Sequence, residues 1–577
     1  MKKNYLLIAA AFTCFIENVN AQSPNWLWAK GIGGTGYDIG NSIAVDASGN
    51  VYTTGWFTGT VDFDPGAGIF NLTSAGLQDI FISKLDGSGN FVWAKRMGSG
   101  TDDDLGYSIA IDLSGSGDVH TTGYFQGTVD FDPGVGTFNI TAAGFYGDIF
   151  ISRLDNSGNF VWAKAMGGTS NDFGYSIALD PAGSGDIYTT GLFQETVDFD
   201  PGAGVFNLTS AGLLDIFISK LNSSGNFVWA KAWGGTSNDE CNSIALDPAG
   251  SGNVYSTGYF RVTADFDPGV GVFNLTSAGD DDIFISKLDS SGNFVWAKRM
   301  GGLDYDRGYS IAIDLAGSGD VYSTGYFEGT VDFDPGAGTF NLTSAGWNDI
   351  FISKLNSSGN FIWANQIGGT FGDFGYSIDI DVSGNVFTVG TFQGTADFDP
   401  GVGVFNLTSA GDNDIFISKL DGSGNFVWAK SMGGTGNELF SSITLDASGY
   451  LYMGGVFFSP TISFGSTTLT NAGDGDIFIA KLDTLSNPTG NNEIENFGNS
   501  ILLFPNPATN HLTIALGSNN KKVEVTITDI TGKIIYTTTA TETQKIEVNT
   551  KDFAEGVYVV RIQAEDFIET RKLIVAK

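Results

Sequence analysis

The chain has 577 residues, of which 64 are Asp or Glu and 28 are Lys or Arg, giving a formal charge of −36; 81 residues are glycine and 13% are aromatic. So acidic a surface repels polyanions and excludes nucleic acid and anionic membranes as partners. Two histidines and two cysteines leave nothing from which to build a zinc site, a Ser-His-Asp triad or a disulfide framework.

The N-terminus begins Met1-Lys2-Lys3, continues as an apolar run from Tyr5 to Ile16 and ends in the small-residue stretch Val19-Asn20-Ala21. A basic start, an apolar middle and a small-residue cleavage site predict a signal peptide over residues 1–21. Cys14 follows Ala11-Phe12-Thr13, which does not form a lipobox. No other stretch reaches the ~18 apolar residues a membrane helix needs, so no transmembrane segment is expected. After cleavage Cys241 is the remaining cysteine; it stands where other repeats carry Gly174 and Gly308.

From residue 25 a repeat takes over. Trp93, Trp162, Trp229, Trp296, Trp363 and Trp428 are spaced by 69, 67, 67, 67 and 65 residues, and a fixed period of this kind marks a repeat architecture. Each tryptophan closes the stretch DIFISKLDGSGNFVWAK or a variant of it, first seen at Asp79–Lys95. DIFISKL is rich in β-branched and aromatic residues, with apolar side chains on both faces, and predicts a strand covered on both sides. The turn formers at 86–90 and the following FVWAK make it a hairpin. A second hairpin lies upstream, SIAVD to VYTTGWF across a turn at 47–50. Four strands per unit, covered on both faces and repeated, predict radial packing in a β-propeller. DIFISKL-like strands begin at residues 79, 148, 215, 282, 349, 414 and 476, but the last unit lacks its own WAK strand, while Trp28-Ala29-Lys30 has no partner. The expected fold is therefore all-β, a seven-bladed β-propeller over residues 25–484 whose ring is closed by the strand 26–30. An open solenoid would leave uncovered faces at both ends. Between the second and third strands lies an excursion, Gly59–Gly76 in the first unit, expected to form a small extra hairpin or packed loop.

The stretch from Gly33 through Asp38, Ser42–Asp46 and Asn50–Tyr52 to Gly55, with Asp79–Leu85, resembles the bacterial seven-bladed β-propeller repeat family. Residues 485–499 then lose the pattern and read as a linker. Residues 500–577 hold nine basic and nine acidic residues, whereas residues 23–492 hold 17 and 52, a net −35. This neutral segment predicts a small C-terminal β-sandwich of alternating strands such as VEVTITD and VYVVRIQ. Phe504-Pro505-Asn506-Pro507-Ala508, Asp529-Ile530-Thr531-Gly532-Lys533, Gly556–Arg561 and Lys572–Val575 resemble the type A sorting domain of the type IX secretion system. The resemblance implies a Gram-negative bacterium and export through the periplasm to the surface or the medium. It also implies two partners, the type IX translocon and its C-terminal signal peptidase.

Candidate chemistry is sparse. His120 replaces the tyrosine found at Tyr52, Tyr188, Tyr255 and Tyr322 and reads as a packed aromatic substitute; His511 lies in the C-terminal segment. One acidic set is Asp38, Asp104, Asp172, Asp239, Asp306, Asp373 and Glu438, and another is Asp46, Asp112, Asp180, Asp247, Asp314, Asp381 and Asp446. Sites that recur in every unit point to turn and capping chemistry rather than catalysis. The DFDPG motif pairs two carboxylates at i and i+2: Asp62 and Asp64, Asp130 and Asp132, Asp198 and Asp200, Asp265 and Asp267, Asp332 and Asp334, Asp397 and Asp399. Beside a glycine-rich loop these hard oxygens are candidate ligands for calcium, the one cofactor considered. The seventh unit has Ile462-Ser463-Phe464-Gly465 instead. The NLT and NIT triplets at Asn71, Asn139, Asn207, Asn274, Asn341 and Asn406 are read as strand residues. Loops that vary between units should form any ligand surface: Phe145, Tyr146, Asp280, Asp281 and Trp347 before the third strand, Tyr305 and Phe371 before the first. The expectation is a secreted or surface-displayed, non-catalytic binding, adhesion or structural module for an extracellular glycan or protein. The alternative is a carbohydrate-active enzyme, a glycosidase or lyase, which would show one pocket with two carboxylates that depart from the repeat.

Overall fold

The computed structural model describes residues 24–484 except 315–316, and 501–575 except 505–507, 521, 530–532, 542 and 565–567. The expected signal peptide, the linker and the Pro505–Pro507 motif lie outside the described residues. The chain divides into two compact units, one to Ser486 and one from Asn487. Among the described residues every regular element is a strand.

In the first blade the inner strand Asp38–Val45 pairs with the second, Val51–Phe57, which pairs with the third, Asp79–Leu85, and that with the outer strand Phe91–Met97, all antiparallel. The same four-stranded sheet recurs along the chain. The last blade takes its inner three strands from Glu438–Leu445, Tyr450–Phe457 and Asp476–Asp483, and its outer strand from Asn25–Gly34. The register of that pair runs from Asn25 opposite Asp483 to Ile32 opposite Ile477, with a bulge between Trp26 and Trp28. Each inner strand packs on the inner strand of the next blade, and the inner strand Glu438–Leu445 packs on Asp38–Val45, so the sheets form a closed ring.

The physical reason is burial on both faces. Every residue of Asp79–Leu85 is buried. Phe57, Phe81 and Ile80 have no exposed surface, and burying such a side chain contributes about 1.5–3 kcal/mol. Each seam is itself an apolar core: Ile43 and Phe81 of the first blade share a cluster with Tyr452, Ile477 and Ile479 of the last. The repeated tryptophan ties the rim. Its indole N–H donates to a turn carbonyl of the following blade, from Trp28 to Gly87, Trp93 to Asn156, Trp229 to Ser290, Trp296 to Ser357 and Trp363 to Gly422, over 3.1–3.4 Å. At Trp162 the bond is lost, because Arg153, which replaces the usual lysine, donates to the Ser223 carbonyl instead and leaves the buried indole N–H unpaired.

The excursion is a two-stranded hairpin, Thr60–Asp62 against Asn71–Thr73 in the first blade. Its Phe63 is fully buried and packs edge-on against Phe57 at 5.4 Å and against Phe81 at 5.1 Å. The outer strand of the preceding blade reaches this hairpin: Gly33 lies opposite Asp62, and the same bridge joins Gly98 to Asp130, Gly167 to Asp198, Gly234 to Asp265, Gly301 to Asp332 and Gly368 to Asp397. Each excursion is thus a clasp between blades.

The second unit packs a three-stranded sheet (Ile501–Phe504, His511–Asn520, Thr543–Asn549) against a four-stranded one (Ile534–Ala540, Val523–Asp529, Gly556–Ala564, Ile568–Val575). Leu512, Ile514, Val525, Val560 and Leu573 form their shared core.

Removal of Asn25–Gly34 strips the outer strand from the last blade and exposes the edge of Asp476–Asp483. An unpaired edge recruits other strands, so the truncated chain is expected to oligomerise or aggregate under conditions where the intact chain stays monomeric, as read by light scattering. An unchanged monomer with an unchanged melting temperature rules out closure through this strand.

Candidate functional site

Four strand ends meet at one edge of every sheet, since Asp38 pairs with Phe57, Phe57 with Asp79, and Ile80 with Met97. The loops entering the inner strand and the excursions therefore emerge from the same edge of the ring, and the short turns emerge from the other. All five aromatic residues expected to form a ligand surface lie at the first edge, with exposures of 91% for Phe145, 48% for Tyr146, 72% for Trp347, 39% for Tyr305 and 46% for Phe371. Phe145 and Tyr146 contact each other at 5.7 Å. Phe371 packs over Gly394. Tyr305 joins a different group.

That group departs from the repeat at a single seam. Asp281, buried, accepts from Arg307 Nε at 2.9 Å and Nη2 at 2.7 Å on one oxygen, and from Arg261 Nε at 2.8 Å on the other. The guanidinium of Arg307 lies 4.2 Å from the centre of the Tyr259 ring, and that of Arg261 5.4 Å from Tyr305. The Tyr259 hydroxyl bonds the Glu240 carboxyl, which burial pushes up from the ordinary glutamate range, aided by Asp281 and opposed by Tyr259 and Arg307. The sequence reading named Asp281 and Tyr305 but passed over Glu240, Tyr259, Arg261 and Arg307. The signal was there: the position of Arg307 is Ile39, Leu105, Phe173, Glu240, Phe374 and Leu439 in the other blades. Only unit-by-unit subtraction of the repeat exposes it.

The DFDPG carboxylates are occupied by their own loop. Asp62 Oδ1 accepts from the Asp64 N–H at 3.1 Å and the Phe70 N–H at 2.8 Å, and Asp64 Oδ1 from the Gly66 N–H at 2.8 Å. The pattern repeats at Asp130 and Asp132, Asp198 and Asp200, Asp265 and Asp267, Asp332 and Asp334, and Asp397 and Asp399. A side chain at Gly68 would collide with the Asp64 carboxylate, which explains the second glycine of DPGAG. Calcium takes six to eight oxygens, and among the described residues no three acidic, His or Cys side chains gather where they could hold a metal ion. With this geometry the melting curve is expected to be the same in EDTA and in millimolar calcium; a fall on chelation makes the loops calcium sites after all, since a ligand bound to the native state raises its stability.

The two recurrent acidic sets differ in role. Asp46 and its equivalents behave as turn formers, with the Ser48 N–H bonded to Asp46 Oδ1 at 2.8 Å. The Asp38 set does not cap its own turn. Asp38 Oδ2 accepts from the Gly34 N–H at 2.7 Å, at the end of the previous blade's outer strand, and Oδ1 from the Thr58 N–H at 3.3 Å, after its own second strand. Asp104, Asp172, Asp239, Asp306, Asp373 and Glu438 make the same two bonds. Opposite each stands the first residue of a third strand: Asp79, Asp148, Asp215, Asp282, Asp349, Asp414 or Asp476. One oxygen of each of these is buried without a hydrogen-bond partner. Desolvation, reinforced by the facing carboxylate, pushes Asp38, Asp104, Asp172, Asp239 and Asp373 up to about 7 and Asp306 to about 8. Burial also takes Asp148, Asp282 and Asp476 to about 6.

Folded values above the unfolded one mean that the stabilisation from these acids is fully present below about pH 4 and is lost progressively as the pH rises from there through their folded values of about 6 to 8. The melting temperature is expected to fall by several degrees between pH 5 and pH 8.5, against a constant ionic strength. A rise over that interval contradicts the seam assignment.

At the opposite edge, a cleft of about 230 Å³ opens between two turns, lined by Asp379, Asp381, Val382, Leu445, Asp446 and Gly449. Asp379 stands where the other inner strands carry Ala44, Ala110, Ala178, Ala245, Ala312 and Thr444. Its oxygens accept from the Ile380 N–H at 2.7 Å and the Leu445 N–H at 2.8 Å, so it too joins adjacent blades.

Comparison with known proteins supplies what geometry does not. Residues 27–59 match the model of a beta-propeller repeat, and residues 502–576 that of a secretion system C-terminal sorting domain. The chain is a β-propeller protein with a type IX sorting domain. The sorting domain implies interaction with that secretion system and export to the cell surface or the extracellular space. Among curated proteins the chain is similar to an uncharacterized WD repeat-containing protein of Acanthamoeba polyphaga mimivirus, 24% identical over 520 residues. It is also similar to a regulatory protein of Caulobacter vibrioides, FlaEY, 23% identical over 354 residues. These alignments take in 75% and 58% of this β-propeller protein, which spans about a third of the length of both relatives, 36% and 35%. Solved structures that match include Sqt1 from Chaetomium thermophilum, 10% identical with a TM-score of 0.34 over 78% of this chain and 86% of that one. A fungal alcohol oxidase of the AA5 family in complex with copper is 12% identical, with a TM-score of 0.36 over 94% of this chain and 100% of that one. No described helix of the β-propeller protein is long and apolar enough to cross a membrane.

Proposed function

We propose that the protein is a secreted or surface-displayed binding module of a Gram-negative bacterium, taking an extracellular glycan or protein without catalysing a reaction. The observation that carries this reading is where the blades differ. The frame is repeated from blade to blade, while the exposed aromatic side chains that vary between blades, Phe145, Tyr146, Tyr305, Trp347 and Phe371, gather at one edge. A rigid ring that displays variable loops is the arrangement of a recognition surface. An array of glycans and matrix proteins probed with the secreted protein tests it: saturable binding that is lost when Trp347 and Phe145 are both changed to alanine is expected. Turnover of a polysaccharide, or no retained ligand, counts against it.

One observation favours the carbohydrate-active alternative. Glu240 and Asp281 are two carboxylates that depart from the repeat at a single seam. Asp281, however, is held by two arginines and Glu240 by Tyr259, and groups so engaged are less available to transfer protons or attack a sugar.

For export, the reading is that the signal peptide takes the chain to the periplasm and the C-terminal unit takes it across the outer membrane, where a peptidase removes it. The two compact units of the chain support this, since the β-propeller closes without any residue beyond 484. A chain ending at residue 499 is expected to accumulate, folded, in the periplasm. Residues 500–577 fused to a foreign periplasmic protein should carry it to the surface of the native host. Surface delivery of the truncated chain, or a mature surface form that keeps Lys577, overturns the assignment.

A further inference from the structure

We infer that the seam between the fourth and fifth blades, around Arg261 and Arg307, is a binding site for a sugar that bears a carboxylate, such as a uronic acid residue of an oligosaccharide; this rests on the binding reading above and names its ligand class. The whole sequence contains seven arginines. Two of them converge here, at the edge of the ring that carries the variable loops, in a protein of charge −36. Two other arginines, by contrast, sit on the repeat's own carboxylates, Arg96 on Asp79 and Arg299 on Asp282.

The arginines are fixed but not saturated. Asp281 takes two of the five N–H donors of Arg307 and one of those of Arg261. About a third of each side chain stays exposed, 30% for Arg307 and 34% for Arg261. Tyr259 and Tyr305 flank the two guanidiniums at cation–π distance, 4.2 and 5.4 Å. A guanidinium whose orientation is already set loses little freedom on taking a bidentate carboxylate. Asp281 bridges the two guanidiniums and Asp280 lies 3.8 Å from Arg261, so what the pair offers a ligand carboxylate is oriented, unused N–H donors rather than a net positive charge. The acidic surroundings penalise every further negative charge on a ligand, which selects a monoanionic carboxylate over a phosphate dianion.

The remaining groups select a sugar. Asp280 is half-exposed, 3.8 Å from Arg261, and Glu240 closes the other side on Tyr259. Both are acceptors for hydroxyl groups. A ligand that meets this set offers one carboxylate flanked by several hydroxyl donors, and an apolar face for the exposed Tyr305 ring. A uronic acid has all three, whereas an acidic peptide side chain lacks the flanking hydroxyls.

The experiment is isothermal titration of the full-length secreted protein with galacturonate oligosaccharide, its methyl ester, the neutral galactose oligosaccharide and a glutamate peptide. The acid form is expected to bind, with the methyl ester at least tenfold weaker. Tyr305→Ala and Arg261→Gln, which leave Arg307 on Asp281, should each weaken the acid form tenfold or more; Tyr305→Ala leaves the melting temperature unchanged, whereas Arg261→Gln lowers it because Asp281 Oδ1 loses its partner. Equal binding of acid and ester, a stronger glutamate peptide, or no effect of either substitution overturns the inference. Binding confined to a neutral glycan or a matrix protein, and unchanged in Arg261→Gln, overturns it while leaving the wider binding reading intact; no binding to any ligand removes both.

Discussion

The structure depends on how one buried carboxylate joins three strands at each seam of the ring. The inner-strand acid, Asp38 in the first blade, accepts one N–H from the outer strand of the blade before it and another from just beyond its own second strand. Backbone N–H groups at strand ends must find acceptors once water is removed, and here a single side chain meets the need of two blades. A second carboxylate from the third strand stands behind it, against a glycine: an added Cβ at Gly33 would run into Asp476, at Gly98 into Asp79, and at Gly167 into Asp148. The glycine of the Gly-Gly motif is needed for that close approach. Two facing acids in a dry seam cannot both be ionised cheaply, so proton uptake is part of the folded state.

On this frame the outer parts of each blade are interchangeable clasps. The tryptophan indole reaches forward to the next turn, and the DFD hairpin receives the preceding outer strand. Both act between neighbours, so the ring tolerates a defect in one seam. The second blade shows such a defect: His120 is buried with both ring nitrogens unpaired, and Trp162 loses its acceptor to Arg153. The surrounding seams hold the geometry.

Because the frame is repeated, function must lie in what is not repeated. A ring of equal acids cannot single out one ligand position, whereas the Arg261, Arg307 and Asp281 group exists at one seam. Its guanidiniums, about a third exposed and set beside tyrosines, contrast with the DFDPG carboxylates, which accept from the N–H groups of their own loop. The C-terminal unit is neutral, carries no repeat and has its own core, in keeping with an address rather than a working surface.

Much of this was legible in the linear order of residues. The 67-residue period, the two hairpins per unit, the unpaired Trp28-Ala29-Lys30 strand and the change of composition after residue 484 are local or periodic signals. Strand pairing within a repeat follows from them because the alternation of side chains is set along the chain. The burial of Asp38 and Asp79 was not legible. Both look like solvated turn residues, and whether they are solvated depends on how two blades close over the seam: Asp104 accepts from Ser99 at the end of one blade and from Gln126 in the next, and faces Asp79. The same holds for Arg261 and Arg307, 46 positions apart, which meet on Asp281 only because the fourth and fifth blades pack side by side. Sequence by itself determined the repeat and its strands, since those are fixed by short-range propensity and periodicity. Tertiary structure decided which carboxylates are buried and which charges converge, because desolvation and Coulomb attraction act through space and not along the chain.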